Sequence, residues 1–453
     1  MNKDLGGDYT LVPIPKEERK HWIDVALVWM GLNICPPTLL LGVWLIKYQS
    51  FKSANFSLLL GLAFLAVFSI IQGIIGTKTG LPTYPLSQLS FGELGGKIFS
   101  FLMFVSLIGW FGILTETMVS TFYLRIFPEI GFKMPLSYKP FVSFFFGTLI
   151  TIVCFFGFKA ITWLNRIVIP SLLLLSFFAL YKIIQNRKLI LEILKWSPTQ
   201  NVSIAKASLW VIGSLIIAAV TAPDFNRYCK KSRDTIYSVV LGNVPIVYFL
   251  TVMGMAFAVL SGAALGKSPA ESADLSTVFI VQKWNIGPLS GGFIATFVLI
   301  GAIITTNVSN LYPGAMALVT VFKGLGKHWK YLEDRAVLTI FVGIMGSIFA
   351  SFGILSKFEK FLELLSVFSI PILGIMSIDF YLLKNRKIKN LINLNALGVW
   401  LIVSIFSVLG LLPGGTLFSI FYAGISYYIL EKTVGANAHI KNGFLRNKVR
   451  GKK

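Results

Sequence analysis

The sequence predicts an all-α integral membrane protein of about twelve transmembrane helices, and three observations carry that reading. Hydrophobic residues make up 55% of the 453 and charged residues only 13%, against roughly 25% charged in an ordinary soluble domain. Mean hydropathy is +0.76. The apolar runs repeatedly reach the ~20 residues that a helix needs to cross a bilayer, whereas a membrane barrel would show short segments of alternating polarity. The 41 Lys and Arg against 19 Asp and Glu give a net charge of +22. These basic residues sit mostly between the apolar runs, where anionic headgroups and the positive-inside rule account for them. Membrane lipid is therefore an expected partner and nucleic acid is not.

Residues 1–22 hold Lys3, Lys16, Arg19 and Lys20 but no apolar core, so they read as a polar N-terminal segment and not as a cleavable signal. Spans follow near 23–47, 54–76, 98–127, 138–158, 160–183, 205–224, 236–265, 289–322, 336–355, 362–383, 391–412 and 414–431. Twelve spans place both termini on one side, and the majority of the Lys and Arg fall on that side, so both termini are expected in the cytoplasm. The chain divides into the segment 1–22, a ten-helix core over 23–390, two further helices over 391–431 and a basic tail over 432–453. Cys35, Cys154 and Cys229 are too few and too scattered for a disulfide framework or a thiolate metal site. The linker from Gly76 to Gly96 packs five glycines and two prolines into 21 residues, the composition of a segment that turns tightly or re-enters the membrane.

Four spans carry unusual chemistry. Span one contains Gly31-Leu-Asn-Ile-Cys-Pro-Pro-Thr38. Two adjacent prolines remove two backbone donors, which frees carbonyls about four residues upstream, including those of Leu32 and Asn33. The outcome is a plain kink or a full break. Span three holds Ser106-Leu-Ile-Gly-Trp-Phe-Gly112, where small glycines permit close helix approach and Trp110 either stacks on a planar ligand or fills the bundle. Glu116, further along, is the clearest carboxylate within a span and a candidate proton carrier or ion-pair partner. Span six, with Gly213-Ser214 and Ala222-Pro223-Asp224, is short and interrupted by glycine and proline. Interrupted spans five positions apart are the mark of transporters built from inverted repeats, which hold substrate and ion at the breaks. In span eight Ala302, Thr305 and Thr306 share one helical face, so a carbonyl and two hydroxyls either converge on a small hard cation or bond back to their own helix. Asn307 is a buried amide suited to packing or to ligand recognition. His21, His328 and His439 all lie outside the spans, so the clustered acid, base and nucleophile of an enzyme are not expected.

Together the motifs resemble the nucleobase:cation symporter-1 family, most closely its bacterial cytosine-permease branch. The residues that carry this are Gly31 and Gly42, Gly80-Leu81 with Ser90-Phe91-Gly92, Gly109-Trp110-Phe111-Gly112, and Gly213-Ser214. Ala222-Pro223-Asp224-Phe225 with Arg227, Thr305-Thr306-Asn307, Leu311-Tyr312 and Ile378-Asp379-Phe380-Tyr381 complete the set, in order over roughly residues 10 to 390. The resemblance implies the LeuT-type fold, in which the first ten helices form two inverted five-helix repeats with helices 1 and 6 broken. It also implies an alternating-access symporter of a prokaryotic plasma membrane, importing a small planar nitrogen heterocycle such as cytosine, a purine, uracil, hydantoin, allantoin or thiamine. By the same resemblance a sodium ion would be held by the carbonyls of Leu32, Cys35 and Ala302 and the hydroxyls of Thr305 and Thr306, with no other cofactor. Substrate would lie against Trp110 and near Asn307, with Pro36 of the broken helix beside it. Four positions depart from relatives that are polar or aromatic there: Leu107, Leu114, Leu215 and Ile217. If all four surround the ligand, cytosine should bind worse than a heterocycle bearing alkyl or aryl groups, because its donors would be left unpaired. Proton coupling through Glu116 is the alternative to sodium. The sequence sets no oligomeric state.

Overall fold

The computed structural model describes residues 13–123, 127, 131–156, 158–265, 291–322, 334–384 and 391–433. The basic tail beyond Thr433, the basic loop 385–390, His328 and the first twelve residues lie outside them, as does the side chain of Cys154. The described chain is helical throughout apart from short turns. In order, the helices are α1 (Trp22–Asn33), α2 (Pro36–Tyr48), α3 (Phe51–Thr79), α4 (Thr83–Phe91), α5 (Gly95–Thr121), α6 (Lys139–Phe156), α7 (Phe158–Gln185) and α8 (Arg187–Lys195). Then come α9 (Ile204–Val220), α10 (Ala222–Asn226), α11 (Ser232–Gly242), α12 (Val244–Leu265), α13 (Gly291–Phe322), α14 (Arg335–Ser351), α15 (Phe358–Ile378), α16 (Leu394–Val408) and a last helix, α17, over residues 419–433. Counted with their breaks, these occupy the twelve apolar segments in order. Among the described residues, five helices are long and apolar enough to cross a membrane alone, and α1 with α2 makes a sixth across its bend.

Span one is broken rather than kinked. Its halves meet at 58° around Ile34 and Cys35. Pro36 and Pro37 open α2, where a first-turn proline has no intrahelical partner to lose, but they cannot donate back to Leu32 and Asn33. The Asn33 carbonyl takes the Thr38 hydroxyl instead, at 2.7 Å. In span six the interruption falls elsewhere than the glycine suggested. α9 runs unbroken through Gly213 and Ser214 and ends at Thr221, whose N–H and hydroxyl both donate to the Ile217 carbonyl at 2.8 Å before Pro223 starts the short α10. A glycine weakens a helix by about 1 kcal/mol without stopping it. Gly213 is required for another reason: a Cβ there would collide with the Leu362 carbonyl of α15. The Gly76–Gly96 linker is also more ordered than its composition suggests, since α3 extends to Thr79 and α4 fills most of the rest.

The packing has the symmetry of an inverted repeat. Span two packs along span six, span seven along span one, three against eight and four against nine. Exchanging each span with the one five positions on maps this set of pairs onto itself. Spans one and seven touch through their backbones, because a Cβ on Gly42 would meet the Thr251 carbonyl and one on Gly254 the Leu39 carbonyl. Two buried cores result. One joins spans one, two, six, seven and ten through residues such as Leu41, Leu62, Ile216, Leu250 and Leu362. The other joins three, four, eight and nine through Phe111, Ile150, Ile303 and Val342.

Candidate functional site

A cavity of about 130 Å3 lies where these two cores meet. The break in span one contributes Leu32, Cys35, Pro37, Thr38 and Leu41, span three Trp110, span six Ser214 and Leu215, span seven Val247, and span eight Thr306 and Asn310. Broken or interrupted spans thus face the second core across a small space, the arrangement in which rocking of one body against the other would expose the site to either side.

Trp110 is held by aromatic edges. Phe358 and Phe361 of α15 meet its indole at 73° and 84°, with centroids 5.7 and 5.6 Å away. Such edge contacts fix a ring while leaving it able to stack on a planar guest. Gly109 makes room for the Phe361 ring and Gly112 lies against Phe349 and the Gly346 carbonyl, so the glycines flanking the indole do permit close helix approach.

The proposed ion ligands are grouped but engaged. Leu32, Cys35 and Thr306 share the cavity. Thr305 and Thr306 both donate to the Ala302 carbonyl, at 3.1 and 2.7 Å, which is the back-bonding a buried threonine adopts in a helix. The Cys35 carbonyl accepts the Thr38 N–H at 3.1 Å. A hydroxyl that donates to a carbonyl keeps its lone pairs, so back-bonding and cation coordination are compatible at Thr305 and Thr306.

Several residues named from the sequence sit elsewhere. Asn307 is fully buried and donates across the span-three interface, to Thr115 Oγ1 at 3.0 Å and the Phe111 carbonyl at 3.3 Å. Its amide joins two helices. The amide on the cavity is Asn310, whose side-chain hydrogen bond among the described residues, to Asn307 Oδ1, is long at 3.5 Å. Leu107 faces Gly314 of span eight, Leu114 is buried in the second core, and Ile217 packs against the first. Of the four apolar replacements only Leu215 lines the cavity, and Pro37 lines it in place of the buried Pro36. Of the apolar surround expected from these four positions, this cavity holds Leu215 alone. Thr38, Ser214 and Asn310 supply polar groups that the sequence reading did not single out, although Asn310 lies four residues after Thr306 and so shares its face.

Glu116 lies apart from the cavity. One carboxylate oxygen accepts the Leu355 N–H at 2.7 Å and the other pairs with Lys139 at 3.5 Å, which ties span three to the turn before span ten and to the start of span four. Other motif residues are joints as well. The Thr83 N–H donates to Asp224 at 2.6 Å, and Asp379 accepts from Ser90 at 3.1 Å and Tyr427 at 2.9 Å, so α4 is fastened at one end to span six and at the other to spans ten and twelve. Among the described residues no three His, Cys, Asp or Glu side chains cluster as a metal site would require.

Residues 13–394 match the family model described as permease for cytosine/purines, uracil, thiamine and allantoin. The chain belongs to this cytosine/purine permease family. It is a membrane transporter and not an enzyme. The cytosine permease of Escherichia coli K12 is 26% identical over 453 residues, covering 97% of this chain and 99% of that one. Among solved structures, the inward-facing conformation of Mhp1 superposes with a TM-score of 0.72 at 18% identity, over 93% of this permease and 92% of Mhp1. Mhp1, a nucleobase-cation-symport-1 transporter, in a closed conformation with bromovinylhydantoin bound gives 0.69 at 17%. The permease shares that fold, with two inverted five-helix repeats and helices 1 and 6 broken.

Proposed function

We propose that this permease imports a single-ring nitrogen heterocycle of pyrimidine or hydantoin size, coupled to sodium, by alternating access across a prokaryotic plasma membrane with both termini in the cytoplasm. The cavity carries the reading. Its 130 Å3 is close to the ~150 Å3 of an engineered cavity that takes up one benzene ring, so a single small ring is the guest it fits best. Trp110 offers a face to the ring, while Asn310, Ser214 and Thr38 offer donors and acceptors to an amide-like edge. That polar set restores cytosine as a candidate, in line with the cytosine permeases among the relatives. Placement favours sodium over a proton, because Thr306, Leu32 and Cys35 border the cavity whereas Glu116 is committed to Lys139 and Leu355.

The experiment is uptake of labelled cytosine, uracil or hydantoin by proteoliposomes under imposed sodium or pH gradients. An inward sodium gradient should drive accumulation of a single-ring compound, and sodium should raise substrate affinity reciprocally. Replacing Thr305 and Thr306 together by Ala should remove that stimulation. Uptake that follows the pH gradient and ignores sodium would overturn the coupling, and better competition by purines than by any single ring would overturn the size argument.

A further inference from the structure

A second cavity, of about 570 Å3, lies at the bundle end where spans six and ten begin and the chain turns from span eleven to span twelve. By the count of spans this end is opposite to the one where Trp22 enters. Its rim is basic and its walls are apolar. Lys206, in the first turn of α9, and Lys360, in the first turn of α15, stand at the rim with Glu363, and Leu209, Leu364, Val367 and Val408 form the walls. One Glu363 oxygen serves both Lys206 Nζ at 3.2 Å and Trp210 Nε1 at 2.9 Å. Lys360 has no ion-pair partner among the described residues. The rim thus carries one uncompensated positive charge.

From this geometry we infer that the groove is a binding site for an anionic phospholipid in the leaflet away from the termini. Charge and position select the occupant. A headgroup with a single negative charge, such as a phosphodiester, neutralises the rim, whereas a zwitterionic one brings its own cation into it. Leu364 and Val408 are about half exposed, at 49% and 54%, and they continue into the lipid-facing surface, where acyl chains would cover them. Thr416, which accepts the Ser407 hydroxyl at 2.8 Å, keeps its own proton for a phosphate oxygen. A lipid seated there would clamp span six to span ten and to the final helix pair, without entering the substrate cavity.

The test uses the full-length protein purified in a neutral detergent, its melting temperature read after adding phosphatidylglycerol, phosphatidylcholine or inorganic phosphate. A ligand that binds only the folded state raises the melting temperature. Phosphatidylglycerol should stabilise, and the other two should not at equal concentration. Lys206→Gln with Lys360→Gln should require about 30-fold more phosphatidylglycerol for the same shift, since each lysine near an anionic headgroup contributes about a fivefold attraction. Leu364→Trp, which fills the groove and leaves both charges in place, should abolish the shift and decides the matter if the double variant fails to fold. Equal stabilisation by phosphatidylcholine, reproduction of the effect by phosphate alone, or an unchanged response in the groove-filled variant would overturn the site.

Discussion

Asn307 and Asn310 lie one turn apart on span eight, and exchanging each for Leu should give opposite results. Asn310 borders the cavity and, among the described residues, its amide makes only the 3.5 Å bond to Asn307. Because that bond is long, its loss should cost the fold less than the loss of the two shorter bonds at Asn307, while a buried polar group on the ligand goes unpaired. That costs about 1 to 3 kcal/mol, or about 5- to 150-fold in affinity. Asn307→Leu removes the bonds to Thr115 and the Phe111 carbonyl, each contributing about 0.5 to 1.5 kcal/mol. Thr115 is four residues from Phe111, so its hydroxyl can turn back to that carbonyl and recover part of the loss. About 1 to 2 kcal/mol of stability should disappear, with a lower melting temperature and a smaller change in affinity. Thermal unfolding of the purified variants, beside equilibrium binding of the transported heterocycle, separates the two effects. If Asn307→Leu abolishes binding at wild-type stability while Asn310→Leu binds normally, the assignment of cavity and joint is reversed and the reasoning fails.

Replacing Pro36 and Pro37 by Ala should restore two backbone donors and straighten the 58° bend, so transport should collapse with insertion intact; normal transport would mean that the break is dispensable. Cys35 borders the cavity, so a small maleimide should block uptake, substrate should protect, and Cys35→Ala should be resistant while retaining its carbonyl. Cys229 should not contribute, because it is fully buried away from the cavity; inhibition that persists in a variant carrying both Cys35→Ala and Cys154→Ala would count against this. Gly254→Val should lower the melting temperature sharply, at about 1 to 3 kcal/mol or more for overpacking against a backbone that cannot rotate away, and a wild-type melting curve would disprove the contact with the Leu39 carbonyl.

Hydropathy alone determined the class and the succession of spans, because a helix in lipid must satisfy its backbone internally and its residues must be apolar over most of the bilayer's thickness. Local backbone chemistry marked the disturbance in span one, since two missing N–H groups at Pro36 and Pro37 allow a kink or a break, and the fold decided for a break with its halves at 58°. Rotation of the helices about their axes was a different matter. In a soluble helix the polar face marks the outside, but a membrane helix is apolar toward both lipid and core, so its sequence carries little sign of which side faces in. Hence nothing in the sequence separates Leu107, Leu114 and Ile217 from Leu215, the one of the four that lines the cavity. Hence too Asn307 is open in sequence to packing or to ligand recognition. A residue three positions on is turned by about 60° in projection, and the packing of span eight against span three sets Asn307 into the joint and Asn310 onto the cavity. Gly213 looks like a helix breaker in sequence because its partner, the Leu362 carbonyl, lies about 150 residues away, and only the folded bundle brings that oxygen where a Cβ would have been.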